Sequence, residues 1–181
     1  MANKKKVKLS KKAEKIKVLL LDVDGILTSG LVHIFEDGSE FYSFSVHDGY
    51  GIKLWQRAGF KVGFITGRGA GSVKHRAKKL GVHYLFQNSG DKLALCEELM
   101  KKEKFGIHEI AFMGDDLQDL PLLKKVGFGA SVSNGRKEVL GAVDYVTKRK
   151  GGDGAVREIV EFLLKSKGLW DDIVSQERIL S

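Results

Sequence analysis

Asp22 and Asp24 stand one residue apart where an apolar run, Ile16 to Leu21, gives way to Gly25. Two carboxylates this close repel each other unless a cation lies between them, and a hard, oxygen-preferring ion such as Mg2+ answers that need. Further along come Thr66-Gly67-Arg68, then Lys92, then Gly114-Asp115-Asp116-Leu117-Gln118-Asp119. An aspartate nucleophile, a hydroxyl and an ammonium group to hold phosphate oxygens, and extra carboxylates for a metal are the parts of phosphoryl transfer through an aspartyl-phosphate. Each element alone has a plainer reading. Acids before a glycine often just form a turn, a lysine at a helix start is commonly solvated, and Asp116 and Asp119 suit the positive end of a helix. The chemistry holds only if the fold brings the four together.

The pattern of elements supplies that convergence. Ile16–Leu21 is a short unbroken apolar block, as in a strand buried on both faces of a parallel sheet. Val46 to Ala58 reads as a turn into a helix, and Lys61–Ile65 as a second buried strand leading straight to Thr66. A basic helix with Lys74, Arg76, Lys78 and Lys79 closes at Gly81. Then follow a strand at Tyr84–Phe86, a helix from Asp91 to Lys104, a strand at Ile110–Met113 and a helical stretch from Leu117 to Lys125. Short strands near Gly127–Ala130 and Val143–Val146 and a helix from Ala155 to Lys167 complete the alternation. Such alternation predicts an α/β fold with a doubly wound, Rossmann-like parallel sheet, whose ligands bind beyond the strand carboxyl ends. One segment departs from it. Residues 31–45 place two β-rich runs around Asp37-Gly38, a hairpin signal, and the ribbon is expected to project beside the site and bury Phe35, Phe41, Tyr42 and Phe44 against another subunit.

Composition sets the limits. The 181 residues, 43% hydrophobic, suit a single domain, expected over 16–168. Eight lysines against Glu14 concentrate +7 of the formal +8 charge in residues 1–17. Residues 1–15 are therefore expected to be a disordered, solubilising basic tail, with neither nucleic acid nor membrane as partner. Residues 169–181 form a second tail, either disordered or able to reach a neighbouring site. The lysines lack a following apolar segment and cleavage site, and no stretch approaches the roughly 18 apolar residues of a membrane span, which points to the cytoplasm. The single cysteine, Cys96, excludes an internal disulfide.

In order and spacing the four elements resemble the haloacid dehalogenase superfamily of phosphohydrolases. That resemblance implies Asp22 as nucleophile and metal ligand, Asp24 as general acid and then base, Thr66 and Lys92 as holders of the phosphoryl oxygens, and Asp115 as a further ligand of Mg2+, its backbone partner being the Asp24 carbonyl. Only 26 positions separate Thr66 from Lys92, and only the short hairpin follows the first motif, so a cap domain has no room. Capless architecture, the Val46-to-Lys53 segment and Gly151-Gly152-Asp153-Gly154 together resemble the family of 3-deoxy-D-manno-octulosonate 8-phosphate phosphatases. The resemblance implies a Mg2+-dependent homotetramer that releases phosphate in synthesis of a lipopolysaccharide sugar. It further implies substrate contacts from Ser45, Val46, His47, Asp48, Gly49, Lys53, Arg68, Arg76 and Lys92. His47 departs from the arginine common in that family. Two alternatives stay open: a phosphatase for nine-carbon keto sugar acid phosphates, against which Arg68 argues, and a phospho-accepting signalling domain, against which the motif order argues.

Overall fold

The computed structural model describes the backbone of residues 2–179 and the side chains of residues 7–176. Six parallel strands, β1 (Val18–Leu21), β4 (Lys61–Ile65), β5 (Tyr84–Phe86), β6 (Ile110–Met113), β7 (Phe128–Ser131) and β8 (Tyr145–Val146), lie in the order β5-β4-β1-β6-β7-β8. The doubly wound sheet implied by the pattern is present. β1 is central because both its faces are apolar. Leu19 and Leu21 point into one layer, Val18 and Leu20 into the other, and all four are buried. The first layer holds α1 (Ala2–Glu14), α2 (Val46–Arg57), α3 (Gly71–Leu80) and α7 (Ala155–Ser166), with α8 (Trp170–Ile179) against α7. The second holds α4 (Lys92–Glu103), α5 (Leu120–Leu123) and α6 (Lys137–Leu140). The chain leaves β1 toward β4 and β5, then returns to β6 on the other side. A crevice therefore opens at the carboxyl end of β1.

Four expectations are corrected. Most of residues 1–15 is not a loose tail but helix α1, because Leu9, Ala13 and Ile16 make an apolar stripe that packs on the first layer. One of its lysines is also engaged, Lys12 pairing with Asp144 at 2.6 Å. High lysine content concealed a stripe of helical spacing. The tail from residue 169 is likewise ordered through α8: Trp170 and Ile173 pack on the core, and the cations of Arg157 and Lys165 lie 5.5 and 4.8 Å from the Trp170 ring. The hairpin is real but minimal, β2 (His33–Ile34) against β3 (Glu40–Phe41). Within it Tyr42 is buried and Phe44 packs on the core beneath Arg76, so of the four aromatics only Phe35 and Phe41 remain exposed. Leu117 to Lys125 also divides, into a 3-10 turn (Leu117–Asp119) and α5. Among the described residues no helix is long and apolar enough to cross a membrane.

Candidate active site

Asp22 is the first residue past β1, and its N–H still donates to the Met113 carbonyl of β6 at 2.9 Å. Sheet register thus fixes its Cα. Its carboxylate is buried beside Lys92, whose Nζ lies 2.8 Å from Asp22 Oδ1 and 2.6 Å from Asp119 Oδ1. Lys92 opens α4 across the crevice, behind the side-chain cap that Asp91 gives to the N–H of Ala94. Burial would strip the proton from Lys92, but Asp22 and Asp119 outweigh it and hold the pKa above the ordinary lysine value. Burial pushes Asp22 up to about 7 while Lys92 pulls it down.

Asp24 stands at the mouth. Its Oδ2 accepts from Thr66 Oγ1 at 3.5 Å, and Oδ1 is buried without a partner. Burial raises Asp24 above the usual carboxylate range, against the opposing pull of Arg68 and Thr66. Thr66 Oγ1 also accepts from the N–H of Arg68 at 3.1 Å, and the Arg68 side chain reaches the half-exposed rim. There its Nη2 lies 2.9 Å from Glu40 on the hairpin.

The acidic set fits a divalent cation. Ligand atoms of Asp22, Asp115 and Asp119 lie within 4.8 Å of one another, and Asp115 Oδ1 is buried with no donor. Burial first, then the charges of Asp119 and Asp116, push Asp115 up to about 7. Such crowding is what a cation relieves. Gly25, at φ +88°, is required here, because a Cβ on it would collide with the Asp115 carboxylate. Asp119 does more than suit the positive end of a helix. It is wholly buried, pairs with Lys92, and accepts from the N–H groups of Asp115 and Asp116 at 2.9 and 3.1 Å. The four-residue return from Asp119 to Asp115 was the available signal. Asp116 instead caps the 3-10 turn through Leu117 N–H.

The remaining expected contacts divide. Ser45 caps α2, accepting from Asp48 N–H at 3.3 Å, and Val46 is exposed at the start of that helix. The Asp48 carboxylate is not presented to a ligand. It is buried and accepts from Arg157 N–H at 2.9 Å and Gly154 N–H at 3.2 Å, serving as a cap for α7 supplied from α2. Arg76 donates to the Ser45 carbonyl at 3.0 Å, and Gly49 is small because a Cβ would meet that guanidinium. The Lys53 Nζ lies near Gly81, at the C-terminal end of α3. His47 borders a cavity of about 480 Å³ with Arg149, Asp153, Arg157 and Glu161, which includes none of the aspartates of the crevice.

Residues 84–159, which carry Lys92, Asp115 and Asp119 of this site, match a model of haloacid dehalogenase-like hydrolases. The protein is a phosphoric monoester hydrolase of that class. It is 39% identical over 165 residues to the 3-deoxy-D-manno-octulosonate 8-phosphate phosphatase KdsC of Escherichia coli (strain K12), covering 91% of this chain and 88% of that one. The phosphatase of that name from Moraxella catarrhalis, in complex with magnesium, phosphate and KDO, superposes with a TM-score of 0.92 at 38% identity, covering 93% of this chain and 97% of that one. The cobalt-bound phosphatase from Haemophilus influenzae gives 0.88 at 34%, covering 94% and 99%. The chain belongs to the 3-deoxy-D-manno-octulosonate 8-phosphate phosphatase family.

Proposed function

We propose that the protein hydrolyses 3-deoxy-D-manno-octulosonate 8-phosphate with Mg2+ as cofactor, through an aspartyl-phosphate on Asp22. The observation that carries this reading is the buried Asp22–Lys92 pair at 2.8 Å, with Asp24 beside it at the crevice mouth. Asp22 attacks phosphorus as the bond to the sugar oxygen breaks, and Asp24 gives that oxygen its proton. Asp24 then takes a proton from water, which attacks the same phosphorus and frees Asp22 with release of phosphate. A carboxyl held above its ordinary range retains a proton more readily, as the first step requires. Lys92 and Thr66 hold the phosphoryl oxygens. Asp22, Asp115 and the Asp24 carbonyl, with Asp119 in support, would hold Mg2+, which when bound supplies charge for the phosphoryl oxygens. Arg68 reads the carboxylate of the sugar acid.

The crevice has no covering domain, and the exposed apolar residues Leu31, Ile34, Phe35 and Phe41 gather on the hairpin beside it. We infer a homotetramer in the cytoplasm in which hairpins pack together and subunits cover one another's sites, with the product destined for lipopolysaccharide. Replacing Phe35 and Phe41 by Asp should then release smaller particles in light scattering. The test of the function is phosphate release across sugar phosphates, with and without chelator. The eight-carbon sugar acid phosphate should be the best substrate, and activity should vanish with chelator and return with Mg2+. A nine-carbon sugar acid phosphate turned over faster would overturn the assignment.

A further inference from the structure

Arg68 is already occupied. Its Nη2 lies 2.9 and 3.0 Å from the two carboxylate oxygens of Glu40, at the start of β3. The hydroxyl of Tyr42, a buried residue two positions on, donates to Glu40 Oε2 at 3.3 Å and so fixes the carboxylate in this position. The hairpin thus delivers an internal carboxylate to the guanidinium that, on the function proposed above, receives the carboxylate of the sugar acid. Exposure decides whether this contact is permanent. The Arg68 and Glu40 side chains are 49% and 33% exposed, in the range where ion pairs are weak and exchangeable.

We propose that Glu40 is an internal competitor for Arg68, which the substrate's carboxylate displaces and which displaces the product's carboxylate in turn. A ligand that binds only the fraction of molecules with Arg68 released has its apparent affinity lowered by that fraction. Substrate and product carry the same carboxylate, so both are weakened. For the product, held without its phosphate, the returning Glu40 hastens departure. A phosphate ester with no carboxylate makes no demand on Arg68 and is indifferent to Glu40.

The test is Glu40→Gln, which keeps the shape of the side chain and removes its charge. The dissociation constant of 3-deoxy-D-manno-octulosonate, measured by calorimetry, should fall about two- to fivefold. KM for its 8-phosphate should fall in the same direction, while KM for glucose 6-phosphate, which lacks a carboxylate, stays the same. In an Arg68→Ala background the Glu40 substitution should have no effect on any of the three. Weaker product binding by Glu40→Gln would make Glu40 a support for Arg68 and overturn the proposal. An equal fall in KM for glucose 6-phosphate would also overturn it, reducing Glu40 to general repulsion of phosphate. If Arg68→Ala alone leaves KM for the 8-phosphate unchanged, the assignment of Arg68 fails and this proposal with it. If Arg68→Ala raises that KM and Glu40→Gln changes nothing, only the competitor is lost.

Discussion

Two lysine ammonium groups, one buried and one half-buried, stand at opposite edges of the sheet, in surroundings that differ in kind. Lys92, at the carboxyl edge, is 2% exposed and sits between Asp22 and Asp119, which hold its proton more firmly than in water. Lys167, at the other edge, donates to the Glu14 backbone carbonyl at 2.6 Å and lies 4.5 Å from the Phe60 ring. Burial, with the like charge of Lys17, pushes Lys167 down to about 8, against Glu14. Counterions make the first lysine part of a charged machine. A carbonyl and rings make the second a fastener, its stem packed and its head only partly solvated, that ties α1 to the end of α7.

The comparison breaks first at Asp22. Asp22→Asn should reduce hydrolysis by roughly 10⁴-fold or more, since an amide is not a nucleophile toward phosphorus, while circular dichroism and the melting temperature stay near those of the parent. Substantial turnover would take Asp22 out of the reaction. Lys92→Met should abolish activity as well and also cost about 3–5 kcal/mol in urea unfolding without divalent ions, because it strands two buried carboxylates. Added Mg2+ should recover part of that loss, since Asp22 contributes to both the lysine pair and the cation set. An unchanged urea midpoint would show that Asp22 and Asp119 do not need the cation.

Asp48 separates a cap from a ligand contact. Asp48→Ala leaves the N–H groups of Gly154 and Arg157 without their acceptor and should cost about 1–2 kcal/mol. KM for the sugar acid phosphate should hardly move. A large rise in KM with stability unchanged would return Asp48 to substrate binding.

The residues that converge in the crevice were legible because their motifs are local in sequence. Asp22 and Asp24 end a strand whose apolar run is unmistakable, Thr66 ends the next, and each carries its own motif. The intramolecular bonds of Asp48 and Arg76 were hidden for the opposite reason. Their partners, the start of α7 and the Ser45 carbonyl, lie 109 and 31 positions away, and no period or motif announces such a bond. Glu40 was equally silent, since the 28 positions that separate it from Arg68 close only once the hairpin packs beside the crevice. At α1, composition misled: the eight lysines of residues 1–17 outweighed Leu9, Ala13 and Ile16, although the packing of those three on the core decides the structure.

The smallest effect belongs to Lys167. Its folded pKa, about 8, lies below the ordinary 10.5, so between these values the unfolded chain binds more protons than the folded one. This group's contribution therefore makes stability rise as pH climbs from about 8 toward 10.5, and below pH 8 the folded state carries the full cost of a charge kept from water. Lys167→Met has no such charge to desolvate. Urea midpoints of the two proteins, taken in steps from pH 7 to pH 10.5, should differ most in the variant's favour at the low end and converge as the native lysine loses its proton. A difference that stays constant with pH would mean that the Glu14 carbonyl and the Phe60 ring solvate the ammonium as well as water does. The two edges of the sheet would then each hold a lysine cation at no net cost, by different means.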